Sequence, residues 1–135
     1  MNEAQLDRVR SGTGFIAALD QSGGSAPGAL ARYGVEVPPG TDEAVVLDMM
    51  HDMRSRIMSS PSFTCDRIIG AILFAGTLDR EVAGRGTADY LWNVKGIVPF
   101  VKIDVGLADE IDGVRLMKPI PDLATLLDRA ARQEV

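Results

Sequence analysis

The chain has one cysteine, one histidine and three lysines in 135 residues. With Cys65 alone, no internal disulfide can form, and a reducing compartment is expected. Cys65 and His51 stand singly in different segments, so a His/Cys metal centre is not expected. The basic residues are too few for a nucleic-acid face. Fourteen Lys and Arg against nineteen Asp and Glu leave a net charge of −5, which excludes a general nucleic-acid binder but not an anionic small substrate. No apolar run approaches the ~18 residues of a membrane span. The opening Met1-Asn2-Glu3-Ala4-Gln5 lacks the cationic and apolar regions of a signal peptide, so a cytoplasmic location is expected. Repeats and low-complexity linkers are also lacking, so residues 1–135 read as one unit with no internal boundary.

What is present is a core-forming composition, 46% apolar and 24% charged. Its apolar residues fall into three contiguous runs: 15–20, 68–74 and 97–103. Runs of that length suit strands buried on both faces of a parallel sheet. Helical patterns separate them. Residues 2–10 predict a short leading helix, and 26–33 one or two turns stopped by Gly34. A long helix follows Thr41-Asp42, with Val46, Met49, Met53 and Ile57 on one face and an Asp52–Arg56 pair at i,i+4. Its methionines read as flexible core filler. Residues 75–85 read as a polar loop. Thr87 is placed to cap a helix through Lys95, with Gly96 in the left-handed position after it. Asp112-Gly113 predicts a turn. Pro121 is expected in the first turn of a last helix with Leu123, Leu126, Leu127 and Ala130 on its apolar stripe. Strands alternating with helices predict right-handed βαβ units in an α/β fold.

The chemistry concentrates at strand ends. The segment Gly14-Phe15-Ile16-Ala17-Ala18-Leu19-Asp20-Gln21-Ser22-Gly23-Gly24-Ser25 carries an apolar run into a carboxylate and then a Gly/Ser loop. The run Val98-Pro99-Phe100-Val101-Lys102-Ile103-Asp104 does the same with an ammonium and a second carboxylate. Alternation puts Asp20 on the face of Ile16 and Ala18, and Lys102 and Asp104 on the face of Val98 and Phe100. An acid in such a mouth can move protons, and the serines and lysine can hold a phosphate. The plainer alternatives are a turn whose hydroxyls satisfy their own backbone and a solvated edge lysine. Lys102 is also the best placed of the three lysines for an imine, although Asp104 beside it favours a phosphate contact.

The blocks in order, Gly14 to Ser25, Met50-His51-Asp52-Met53-Arg54, Arg67 to Phe74, Thr87 to Trp92, Lys95 to Asp104, Asp112-Gly113-Val114 and Leu116-Met117-Lys118-Pro119-Ile120-Pro121, resemble class I fructose-bisphosphate aldolases of the bacterial branch. The resemblance covers nearly the whole chain. It implies the first three βα units of a TIM (β/α)₈ barrel, a partial barrel with parallel strands. The reaction it implies is reversible cleavage of fructose 1,6-bisphosphate into dihydroxyacetone phosphate and glyceraldehyde 3-phosphate, a step of glycolysis. The family uses a lysine imine and no metal or cofactor. Asp20 resembles the family's strand-one aspartate, which orients substrate and assists proton transfer. Ser22, Ser25 and Lys102 resemble its phosphate contacts, with Asp104 in support. Gln21 and Val105 stand where other branches carry an acid and a lysine.

Residues 1–135 match only the family's opening part, so the Schiff-base lysine is not present in this chain. A ~250-residue barrel is then incomplete. Open strand edges predict self-association or a need for a missing C-terminal half. A non-catalytic sugar-phosphate-binding or assembly module is the alternative reading, and a self-sufficient Schiff-base enzyme using Lys102 is a third.

Overall fold

A computed structural model describes residues 1–135, Gly23 by its backbone alone. The three apolar runs form β1 (Phe15–Leu19), β2 (Ile68–Leu73) and β5 (Val98–Val101). They lie in the order β1-β2-β5, parallel throughout, so strands successive along the chain's main path are neighbours in space. Ile16 is level with Gly70 and Val98, and Ala18 with Ile72 and Phe100. The Lys102 N–H donates to the Leu73 carbonyl at 2.9 Å, extending the ladder one residue. A mixed α/β fold with one three-stranded parallel sheet results.

The two faces of the sheet differ. Ala17, Leu19, Ala71, Leu73 and Val101 point into the main core, against Ile57, Met58, Phe63, Leu78 and Leu91. The other face carries Ile16, Ala18, Ile72 and Phe100. Ile16 is 44% exposed, Ala18 is exposed, and Ile72 and Phe100 are half-buried. Phe100 lies across Gly70, where an added Cβ would stand 2.5 Å from the ring. The middle strand is covered on both faces, as its unbroken apolar run predicts, with Ile68 and Gly70 buried on one and Ala71 and Leu73 on the other. Strand β1 is not the buried strand its sequence predicts, since it lies at the sheet edge with Phe15, Ile16 and Ala18 exposed.

Helix α1 (Glu3–Ser11) begins with a reciprocal cap: the Asn2 side chain accepts from the Gln5 N–H, and Gln5 Oε1 accepts from the Asn2 N–H. Helix α2 (Ala26–Arg32) packs on α3 (Glu43–Ser59) through Ala26, Leu30, Met50 and Met53. Asp42 caps α3 by accepting from the Ala44 N–H at 2.8 Å. Of the predicted face only Met53 is fully buried, Val46, Met49 and Ile57 being half-buried; the buried face is centred one residue on, at Met50, Met53, Arg54 and Met58. The Asp52–Arg56 pair does not form. Arg56 instead lies over the Tyr33 ring at 6.0 Å, where the aromatic face from α2 competes for the cation.

Residues 75–85 are more ordered than a polar loop. After a 3-10 turn at Ala75–Thr77, β3 (Glu81–Val82) pairs antiparallel with β4 (Arg85–Gly86). Ala83 and Gly84 turn between them at φ 52° and 75°. Such a turn normally takes Asn-Gly, so its alanine concealed it. Thr87 does not cap the next helix. Its hydroxyl donates to the Arg80 carbonyl at 2.8 Å and so fixes the hairpin, while Gly86 takes the cap position of α4 (Thr87–Asp89). A π-helical turn at Tyr90–Val94 follows, and Gly96 leaves it at φ 66°, as expected.

Beyond β5 the chain makes an extended arm. Leu107 pairs with Met117, and Ile111 with Val114 around the Asp112-Gly113 turn. Pro121 stays outside α5 (Leu123–Arg132), because Asp122 precedes the helix at φ 50° and is not helical. Leu126 joins the core and Ala130 is buried, but Leu127 is 49% exposed and lies outside the stripe. Among the described residues no helix is long and apolar enough to cross a membrane.

Candidate functional site

Three strand ends converge at the carboxyl edge of the sheet. Asp20 follows β1 directly, Phe74 follows β2, and Lys102 follows β5. Register puts these three level on the open face, with Phe74 in the middle. Strands spaced about 4.8 Å apart leave Asp20 and Lys102 two steps distant, a gap that a lysine stem can bridge. Lys102 Nζ stands 3.8 Å from Asp20 Oδ2 and 3.7 Å from Asp104 Oδ2. The side chains are 29%, 25% and 41% exposed respectively, so water still reaches each group. Each pair then contributes about 0.2–1 kcal/mol to stability. Three charged groups so weakly committed to stability remain available to a ligand.

Asp104 is also fixed from its own loop, since Oδ1 accepts from the Gly106 N–H at 3.0 Å. Ser22 and Ser25 bond to each other. Ser25 Oγ donates to the Ser22 carbonyl at 2.8 Å and accepts from the Ser22 N–H at 3.3 Å. The loop thus satisfies its own backbone, as the plainer reading of a Gly/Ser turn holds. It makes no hydrogen bond with Asp20 or Lys102 among the described residues. The sheet therefore brings Asp20, Lys102 and Asp104 together, and places Ser22 and Ser25 on the adjoining loop.

Arg54 belongs to this site although nothing in its residue type announced it. It is 2% exposed, on the buried face of α3. Its Nη2 donates to the carbonyl of Gln21, the residue after Asp20, and its Nη1 to Thr77 Oγ1 at 3.3 Å. The guanidinium also lies 5.9 Å from the centre of the Phe74 ring. No carboxylate contacts it among the described residues, and Nε has no partner. Burial pushes its pKa below the ordinary arginine value, the charge of Asp20 opposes that shift, and nearby Arg80 adds to it. The guanidinium remains a cation at neutral pH. Arg54 lies four residues from both Met50 and Met58, which are fully buried, a spacing that becomes informative only once their burial is known.

Gln21 thus enters through its backbone. Its side chain turns back, Nε2 donating to the Ala18 carbonyl at 3.0 Å. Elsewhere, Lys95 donates to the Ser60 carbonyl at 2.9 Å, and Lys118 is exposed on the arm. No cluster of three or more His, Cys, Asp or Glu side chains converges among the described residues. Lys102 is the cation of this rim, between Asp20 and Asp104, and the Ser22–Ser25 turn adjoins it. The sequence matches no protein-family model.

Proposed function

We propose that this chain is the opening portion of a class I fructose-bisphosphate aldolase, its three strands forming the first part of a (β/α)₈ barrel. The reading rests on the ordered sequence blocks that resemble that family. The observation that carries it furthest is the Lys102 contact with Asp20 across the carboxyl end of the sheet. Barrel enzymes draw their reacting groups from that end of several strands. The parallel neighbours β1, β2 and β5 are arranged as the start of such a barrel would be. The open apolar face with Ile16, Ile72 and Phe100 is the surface an opposite wall would cover.

In this reading Lys102 holds a substrate phosphate together with Ser22 and Ser25. Binding exchanges a carboxylate pairing of Lys102 for a phosphate pairing. Asp20, released from Lys102, is then positioned to orient a substrate hydroxyl and take up its proton during carbon–carbon cleavage. The imine-forming lysine lies outside these residues by the same resemblance. The 135 residues alone are therefore inactive and act in the cytoplasm with the rest of a barrel.

The test is complementation. The isolated chain should cleave no fructose 1,6-bisphosphate, and activity should appear when the C-terminal half of a bacterial class I aldolase is added in trans. Failure to gain activity from a folded, associated pair would refute the reading. Borohydride reduction in the presence of dihydroxyacetone phosphate should leave no adduct on Lys102, and an adduct there would favour a self-sufficient imine enzyme. A second reading is a non-catalytic sugar-phosphate-binding module. The joint presence of Asp20, Lys102 and the serine turn favours it, and binding without complementation would establish it.

A further inference from the structure

Arg54 ties two loops that have no other direct bond between them among the described residues. Gln21 stands just after β1 and Thr77 just after β2, and one guanidinium donates to both. Loop carbonyls at strand ends ordinarily find water. Here the Gln21 carbonyl is held by a charged donor on a helix core, which is stronger than a neutral hydrogen bond. The cost is a desolvated cation with no carboxylate in contact and an unpartnered Nε. A core residue that only filled space would be an uncharged one, as Met50 and Met58 are on the same face.

The tie acts on the candidate site through the chain. Gln21 links Asp20 to Ser22, and Ser22 is bonded to Ser25. Fixing the Gln21 peptide fixes the direction of the Asp20 side chain on one side and the start of the serine turn on the other. Phe74, between Asp20 and Lys102 in register, is held against the same guanidinium at 5.9 Å. We infer that Arg54 is a positioning residue: it couples the loops after β1 and β2 so that the Asp20 carboxylate and the Ser22–Ser25 turn are set for an anionic ligand facing Lys102. It touches no ligand itself, being 2% exposed. The ligand part of this inference rests on the sugar-phosphate reading above, whereas the coupling does not.

Amide hydrogen exchange separates the two. The Ser22 and Ser25 N–H groups are hydrogen-bonded in the turn, and the Thr77 N–H donates to the Phe74 carbonyl at 2.8 Å, so all three report on the loops. Arg54→Lys keeps the charge but cannot reach both acceptors. It should speed exchange at Ser22, Ser25 and Thr77 by about tenfold or more while amides of β2 stay protected. Thr77→Val leaves Arg54 in place and removes one acceptor. It should also speed exchange at Ser22 and Ser25, on the other loop. Unchanged exchange at Ser22 and Ser25 in either folded variant refutes the coupling.

Calorimetric titration with fructose 1,6-bisphosphate forms the second arm. Arg54→Lys should weaken binding about tenfold, and Lys102→Ala should abolish it without altering exchange in the serine turn. Full affinity in a variant whose loop exchange has risen would refute the positioning role. If the unaltered chain binds no sugar phosphate, the functional reading fails, and the exchange results still decide the coupling.

Discussion

Lys102 Nζ reaches across the end of β2 to within 3.8 Å of Asp20 Oδ2, joining the outer strands β1 and β5 that share no backbone hydrogen bond. Asp104 holds the same ammonium from the other side at 3.7 Å. Water access keeps both pairs weak in stability terms. Their joint effect is on placement: one cation sits on the rim between two carboxylates.

Lys102→Ala should therefore separate binding from folding. Stability should change by about 1 kcal/mol or less, because the lost pairs are partly exposed. Saturable binding of fructose 1,6-bisphosphate should be abolished. Chemical denaturation and calorimetric titration read the two effects. Retained affinity would remove Lys102 from the site.

Gly70→Ala tests the packing beneath that rim. The new Cβ would stand 2.5 Å from Phe100 Cε2 and 3.1 Å from the Val98 carbonyl oxygen. Phe100 must swing off the sheet, so a loss of about 1–3 kcal/mol is expected in urea denaturation. A neutral substitution would mean that the ring is not seated on Gly70.

Met50→Ala should cost about 2–5 kcal/mol, since Met50 is fully buried between α2 and α3. Met49→Ala, one residue earlier on the same helix and only half-buried, should cost clearly less. Equal losses in the two unfolding curves would contradict the orientation of α3.

Asp89 gives an acid-sensitive contribution. A hydrogen bond from Arg85, at 2.6 Å from Nε, lowers its pKa most, and one from Asn93 adds to this. A carboxylate with a depressed folded pKa stabilises above its ordinary value of 3.8 and loses that contribution as pH falls through the lower folded value. Stability of the unaltered chain should fall across that acidic window more than that of Asp89→Asn. Superimposable acid-unfolding profiles would show that the Arg85–Asp89 pair does not matter to folding.

The open sheet face predicts association. Ile16 is 44% exposed beside the free edge of β1, and the arm exposes Leu107, Ile111, Leu116 and Met117. Sedimentation of the chain alone should show concentration-dependent oligomers, with Ile16→Lys shifting the distribution toward monomer. A cooperative, concentration-independent monomer would contradict this expectation.

Much of this architecture is legible along the chain. The three strands lie within the three apolar runs, because five to seven contiguous apolar residues are driven out of water. Met53 falls on the buried face of α3 as its spacing predicts, whereas Met50 was not read as part of that face; Gly96 and Asp112-Gly113 mark their turns through the backbone angles they tolerate. Other features depend on partners far off in sequence. The β3–β4 hairpin forms on an Ala-Gly turn with a weak local signal, supported by Thr87 bonding to Arg80. Arg56 meets Tyr33 rather than Asp52 because α2 lies alongside. Among the candidate site residues, Asp20 and Lys102 were legible as strand-end charges on matching faces. Arg54 was not, since burial of a charge is decided by which carbonyls surround it.

The amino-acid order by itself determined that this chain has three strands, the helices between them, and acidic and basic side chains at two strand ends. Alternation and apolar clustering act within a few residues, so they can be read from neighbours. Only the tertiary structure decided that strand β2 stands between the other two, that Lys102 spans it to Asp20, and that one buried arginine binds two loops. Those relations depend on distances between segments more than twenty residues apart, and packing alone sets such distances.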